Sequence, residues 1–354
     1  MLGGGEYSFL DIISNLPDDW KVSAIVPSKG DLAESIRKKN IETKIIPLPP
    51  IRPWFVLHMV LSLILFYNTF RKNFPLFIYT NGPRATFYGG IVGKLLGIPV
   101  IWHCRIANPD KYLDFFLTRI SRIIIVNSIA TAKRFKDNVQ YKIRLVYNGI
   151  DLNWLRKDPE RKINFVKGDW KIILMAARVS RWKRHDLALS AFEILAATDP
   201  RIHIIFLGGQ DLLEPEWWDH LQRKSDNSRF YDRIHWEGYA EDVRPWYKIA
   251  SVLLLPSENE PFGRVLVEAM ACGIPVVAAR DGGVPEIVRH EKDGLLVSPG
   301  DADEIAVAVH KILSDDNLMR SFSKSARRRA DIFDLESLIE NIIRVFDETL
   351  TDEK

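Results

Sequence analysis

Short β-branched and aliphatic runs recur along this chain, each followed by a longer segment with apolar residues at helical spacing. KVSAIVPS (21–28), TKIIPL (43–48), LFIYTN (76–81), PVIWHC (99–104) and RIIIVNS (122–128) are strand candidates. DLAESIRKKN, with Asp31 placed to cap it, RATFYGGIVGKLLG and KYLDFFLTRIS are helical between them. Few folds tolerate this alternation. Strands joined through helices run parallel, and a parallel sheet needs helices on both faces. The pattern resets near residue 165. KIILMAARVS (171–180), HIIFLGG (203–209), RIHWEGY (233–239), SVLLLPS (251–257), PVVAAR (275–280) and GLLVSPG (294–300) then alternate with helices such as HDLALSAFEILAA. A chain of 354 residues also exceeds what one core normally holds. The reading is α/β, with two doubly wound domains, a linker around Asp151 to Gly168, and two closing helices with no strand after them.

Composition narrows the class. Cys104 and Cys272 are the only cysteines and form no CxxC pair, which argues against a disulfide framework or a zinc site and for a reducing compartment. No secretory signal is visible. The longest apolar run, WFVLHMVLSLILFY, spans 14 residues from Trp54 to Tyr67, short of the roughly 20 that cross a bilayer. It reads as a buried helix. Arg52 before it, and Arg71 and Lys72 after it, open the alternative of an interfacial helix. Residues 1–150 carry 20 Lys+Arg against 10 Asp+Glu, and the remainder 29 against 36. Either the first half faces something anionic or its solvated surface is merely basic. Nucleic acid, anionic lipid and a phosphorylated glycolipid all satisfy the charge. The apolar run favours the membrane surface.

In open parallel sheets ligands bind beyond the carboxyl ends of the strands, so loops after strands hold the candidate residues. In ENEPFG, after SVLLLPS, Glu260 lies in the loop, and Glu268 falls one to two turns into the helix GRVLVEAMA. Eight helical residues are about 2.2 turns, which lets both carboxylates point to one cleft. The helix start near Phe262 to Val265 suits a phosphate, and Gly263 permits close backbone approach. A deeper carboxylate suits sugar hydroxyls. The alternative is a capping Glu260 and a solvated Glu268. AARVSRWKRHD places Arg178 and Lys183 just past a strand, a fork and a point charge fit for a diphosphate or for plain solvation. In DGGVPEIV, Gly282 and Gly283 offer a further backbone cradle.

Together these residues resemble glycosyltransferase family 4, the retaining glycosyltransferases of GT-B fold. PSENEPFGRVLVEAMACGIPVVAARDGGVPEIVRHEKDGLLVSPGD resembles the family signature, with Glu260 and Glu268 on its two glutamates. RVSRWK resembles its Arg and Lys pair, EGYAEDVRPWYKIASVLLLPS the segment before the signature, and VNSIATAKRF and LVYNGID the close of the first domain. GGGEYSFL resembles its glycine-rich first loop, and His103 in VIWHCRIAN a histidine near the transferring sugar. Alone, His103 reads as a satisfied strand-end histidine.

The resemblance implies two Rossmann-like domains facing a cleft. Residues 1–165 would form the acceptor-side domain and 166–333 the nucleotide-sugar domain, with 334–354 a helix crossing back to the first. Catalytic roles are implied for His103, Glu260, Arg178 and Lys183. Donor-binding roles are implied for Gly4, Gly5, Arg178, Lys183, Tyr239, Phe262, Gly263, Val265 and Glu268. Cations and a helix end would stabilise the departing diphosphate without metal or cofactor. The one DxD, Asp301-Ala302-Asp303, follows Pro299-Gly300 and reads as a helix cap. The mechanism stays open between a carboxylate nucleophile and same-face attack, the latter favoured by the family.

Relatives usually carry a full strand before the glycine-rich loop, and this sequence starts at Met1-Leu2-Gly3-Gly4-Gly5. The expectation is a first domain lacking a central strand. The leading function is transfer from a UDP- or GDP-sugar to a glycan or lipid-linked acceptor, for which the basic first half favours an anionic one, in polysaccharide, lipopolysaccharide or glycolipid synthesis. The setting is the cytoplasm, at the inner face of the membrane, with no nucleic acid. A weak or inactive nucleotide-sugar-binding partner subunit is the alternative. Donor hydrolysis with and without acceptor separates the two. An epimerase or phosphorylase of similar architecture would instead release an epimerised sugar or depend on phosphate.

Overall fold

The computed structural model describes residues 2–351. The chain forms two compact units, Leu2–Gly149 with the last helix, and Ile150–Asp334. The first unit runs α1 (Gly4–Ser14), β1 (Ser23–Val26), α2 (Asp31–Lys38), β2 (Glu42–Ile45), α3 (Val56–Asn73), β3 (Ile78–Asn81), α4 (Pro83–Leu96), β4 (Val100–Cys104), α5 (Lys111–Ile120), β5 (Ile123–Val126), α6 (Ile129–Ala132) and β6 (Ile143–Leu145). All its strand pairings are parallel. Strands β3-β4-β5-β6 make one sheet, while β1 and β2 pair with each other alone. The strands of this unit thus lie in two sheets, and no strand among the described residues bonds one to the other. Gly30, rather than Asp31, is the cap of α2. Asp31 is its first residue, where a carboxylate still meets the positive helix end.

Alternation along β4 and β5 sorts their side chains. Ile101, Ile123 and Ile125 pack on Ile12 of α1. Trp102, Cys104, Ile124 and Val126 pack on Leu117 of α5. Ile78 and Val100 meet Tyr88 and Val92 of α4 and Phe66 and Phe70 of α3. Both sheet faces are therefore covered, as parallel strands require.

The second unit runs α7 (Leu152–Arg156), β7 (Lys171–Ala176), α8 (His185–Ala196), β8 (Ile202–Leu207), α9 (Pro215–Asp226), β9 (Ile234–Gly238), α10 (Arg244–Ile249), β10 (Val252–Leu255), α11 (Arg264–Ala271), β11 (Val276–Ala279), α12 (Val284–Ile287), β12 (Gly294–Val297), α13 (Ala302–Leu313) and α14 (Asp316–Ala330). Its six strands form one parallel sheet in the order β12-β11-β10-β7-β8-β9. The order reverses between β7 and β10, so the switch point lies there. The unit begins at Ile150, ahead of the boundary expected at 165, because α7 is not linker. Leu155 is buried, its carbonyl oxygen accepts from Cys272 Sγ at 3.6 Å, and Arg156 pairs with Asp331 at 2.5 Å.

The last helix, α15 (Leu335–Thr351), returns to the first unit. Its Leu338, Ile342, Val345 and Phe346 join Ile12, Ile101 and Ile125, and Arg144 pairs with Glu348.

His185 opens α8 fully buried, its ring against Phe206 and Trp236. Burial first, and the charge of Lys183 second, lower its pKa from 6.5 to about 3. Below pH 6.5 the unfolded chain therefore takes up a proton that the folded chain refuses. This stabilisation is full above pH 6.5 and is lost as pH falls toward 3, at about 1.4 kcal/mol per pH unit. Unfolding free energies from urea curves measured from pH 7 to pH 4 should fall by that slope more steeply in the wild type than in His185→Leu. Equal slopes would mean that the ring does not stay neutral in the folded state.

Candidate functional site

The loops that follow β7 and β10 flank the switch point of the second sheet, and they carry Arg178, Lys183, Glu260, Phe262 and Gly263. Lys183 closes the short turn Arg181–Lys183 after β7, and Glu260 follows β10. Lys183 Nζ meets Glu260 Oε2 at 2.5 Å, with both side chains nearly buried. Lys183 Nζ also sits 3.9 Å from the Trp182 ring. Beside this pair, Arg184 bonds Glu258 and Asp186, and Glu258 N donates to Trp182 O at 2.8 Å. The two loops are thereby held together by both backbone and charge.

The Gly282-Gly283 turn braces Glu260 from its other side. Gly283 N donates to Glu260 O at 2.8 Å, and Asp281 Oδ2 accepts from Asn259 N at 2.7 Å. Gly282 has φ +56°, and a Cβ there would lie 2.2 Å from Glu260 O. The DGG turn is thus a support for the Glu260 loop.

Helix α11 starts at Arg264 with Gly263 as its cap, and its N-terminal end carries partial positive charge. Val265 lies in its first turn, half-buried. The Phe262 ring is buried against Phe333, with ring centroids 5.8 Å apart. Glu268, fifth in the helix, accepts from Tyr247 Oη at 2.8 Å and from Arg264 Nε at 3.2 Å. Burial, then the Glu268 charge, push the Tyr247 pKa well above 10, so the phenol keeps the proton it donates. Glu268 is accordingly held by two donors with its side chain 14% exposed, and is not a solvated helix-face acid. Arg178 stands apart from the Lys183 pair, 54% exposed and 3.5 Å from Asp211. Tyr239 follows β9 and is exposed.

His103 and the glycines lie in the first unit. His103, on β4, is fully buried. Its Nδ1 is 2.6 Å from Tyr79 Oη and 3.3 Å from Arg105 Nη2. A guanidinium only donates, so Nδ1 is the acceptor and the proton sits on Nε2. Burial, then the Arg105 charge, lower the His103 pKa well below 6.5. The result is a neutral ring whose Nε2–H has no partner among the described residues. Arg105 is itself held by Asn81 and Asn148. Gly4 and Gly5 form the first turn of α1, not a loop, and Gly5 O accepts from Asn81 Nδ2 at 3.2 Å. Asp301 caps α13 through Glu304 N at 2.8 Å.

Tyr247, Asp211 and Tyr79 were not among the sequence candidates. Tyr247 lies on a different helix, 21 residues from Glu268, and nothing in its local sequence signals the contact. Asp211 follows Gly208-Gly209 at a strand end, a position that could have marked it.

Residues 2–154 match the family model Glycosyltransferase Family 4, and residues 156–329 match Glycosyl transferases group 1. The chain belongs to this glycosyltransferase family. Among similar proteins is the N-acetyl-alpha-D-glucosaminyl L-malate synthase of Bacillus anthracis, 29% identical over 67% of this glycosyltransferase and 61% of that protein. Another is the D-inositol 3-phosphate glycosyltransferase of Streptomyces bingchenggensis, 33% identical over 54% of this chain and 44% of that one. The chain thus spans about half the length of the curated relatives it matches. The crystal structure of Anabaena HepE in complex with UDP and glucose superposes with a TM-score of 0.83 at 22% identity, covering 98% of this glycosyltransferase and 96% of HepE. That likeness establishes the fold, the GT-B pairing of Rossmann-like domains.

Proposed function

We propose that this chain transfers a sugar, with retention and without a metal, from a UDP- or GDP-sugar to a glycan or lipid-linked acceptor. The acceptor belongs to polysaccharide, lipopolysaccharide or glycolipid synthesis, and the setting is the inner face of the cytoplasmic membrane. The observation that carries the reading is the second-unit constellation: a Lys183–Glu260 pair at the cap of α11, with Glu268 held by Tyr247 five residues into that helix. Glu268 accepts from the donor ribose. Lys183, Arg178 and the α11 end take the charge that develops as the diphosphate departs. Gly4, Gly5, Phe262, Gly263 and Val265 offer backbone to the donor, and Tyr239 borders the base. Glu260 lies at the donor sugar, and the neutral His103 donates its Nε2–H to a sugar oxygen. The acceptor attacks on the face the diphosphate leaves, and the leaving phosphate takes its proton. The sugar transfers for which the relatives are named, and the UDP and glucose bound by HepE, support a nucleotide-sugar donor.

A melting panel of UDP, GDP, ADP and their sugar conjugates, run without metal, tests this. A ligand at about 100 times its dissociation constant adds about 2.7 kcal/mol, or about 5–10 °C. One base should shift the wild type, should fail to shift Glu268→Ala, and should bind Tyr247→Phe about tenfold more weakly. No shift with any nucleotide, from folded protein, refutes the donor site.

A further inference from the structure

Helix α3 is apolar on two opposite faces, and only one of them is covered. Ser62, Phe66 and Phe70 are buried, with the two phenylalanines in a cluster with Tyr88 and Val92 of α4. On the other side Leu57, Val60, Leu61, Ile64 and Leu65 repeat at helical spacing and are each 45–70% exposed. The sequence reading of this run as a buried helix is therefore corrected toward its interfacial alternative: its inner face completes the core, and its outer face has no neighbouring layer among the described residues. A helix that is apolar all round is ordinarily enclosed, and a contiguous exposed apolar stripe marks an interaction surface.

Charge selects the partner. Residues 43–109 contain seven Lys and Arg and no Asp or Glu. Arg52 and the 76% exposed Trp54 stand at one end of the stripe, and Arg71 and Lys72 continue it at the other. Arg84 and Lys94, on the neighbouring α4, are also exposed. A second copy packed antiparallel on this face would set Arg52 of one against Arg71 and Lys72 of the other, like against like. A nucleic acid would gain nothing from five aliphatic side chains. An anionic bilayer satisfies both features, with acyl chains for the stripe and headgroups for its cationic, Trp-bearing ends. The 21-residue stretch Pro53–Asn73 holds an 18-residue window of mean hydropathy 1.5, long and apolar enough to cross a membrane, but Phe66 and Phe70 tie it to the folded unit. It lies along the surface.

We infer that the outer face of α3 docks this chain flat on an anionic membrane, with Leu57, Leu61, Ile64 and Leu65 in the acyl boundary and Arg52, Arg71 and Lys72 at phosphates. This rests on the membrane-surface part of the function proposed above and on nothing at the donor site. Flotation with vesicles of phosphatidylcholine alone, and with added phosphatidylglycerol, tests it. The wild type should float only with the anionic vesicles, and less at high salt. Leu61→Glu/Ile64→Glu should lose at least about tenfold in vesicle affinity, while keeping its melting temperature and its nucleotide shift. Arg71→Gln/Lys72→Gln should also lose about tenfold or more, each cation being worth about fivefold near the surface. No flotation of the wild type, equal flotation of Leu61→Glu/Ile64→Glu, or a dimer by light scattering that this variant dissolves would overturn the inference. Loss of the nucleotide shift in the wild type would strike the donor reading alone.

Discussion

Lys183→Ala should slow sugar transfer by about 10²–10³ and weaken nucleoside diphosphate binding at least about tenfold. The cation is 2.5 Å from Glu260 and mostly out of water, with its side chain 14% exposed. A charge fixed in that setting stabilises a departing diphosphate without having to reorganise. Removal also leaves the Glu260 carboxylate without its counter-charge, at a cost of about 3–5 kcal/mol in folding stability. Rate loss and instability therefore arrive together, and a second variant must separate them. Lys183→Met/Glu260→Gln removes both charges and keeps the volumes, so it should regain most of the melting temperature but not the transfer rate. Initial rates with the nucleotide sugar chosen by the melting panel, beside thermal melts of both variants, make the comparison. Full transfer by Lys183→Ala would remove this residue from the reaction. Transfer restored in the double variant would mean that the pair serves only to brace two loops.

The second unit was largely legible in the sequence because its strands are short, apolar and separated by helices of ordinary length. All six strand candidates are strands, and the loops after β7 and β10 are where the strand-end rule looks for ligands. Local chemistry also placed Asp301 as a cap and Gly263 at the start of α11. What pattern could not supply was pairing across the sheet. Nothing in RVSRWK says that Lys183 reaches Glu260 while Arg178 turns to Asp211. Nothing near Glu268 announces Tyr247. In the first unit, the length of its apolar run made α3 a buried helix, with an interfacial helix as the alternative, because run length does not report whether a second layer covers the outer face. The division of its strands into two sheets was not visible as a hydrogen-bonding fact, and α7 was hidden by being only five residues long inside a polar stretch.

The supporting turn should prove as demanding as the charged pair. In Gly282→Ala the new Cβ would fall 2.2 Å from Glu260 O and 2.8 Å from Glu260 N, both backbone atoms with no rotamer to escape by. The residue also sits at φ +56°, which costs an L side chain about 1–2 kcal/mol. Relief requires the DGG turn to move away from the Glu260 loop, breaking the 2.8 Å bond from Gly283 N to Glu260 O, worth about 1 kcal/mol. The sum is about 3 kcal/mol, or about 6–12 °C for a unit of this size. Because the displaced backbone carries Glu260, the variant should also lose its nucleotide shift. Gly238→Ala provides the comparison: at φ +67° with nothing within 4 Å, it bears the backbone cost alone and should melt closer to the wild type. Equal melting of the two variants would show that Glu260 does not rest on Gly282. A Gly282→Ala protein that melts low but keeps its full nucleotide shift would show that the turn supports the fold without aiming the site.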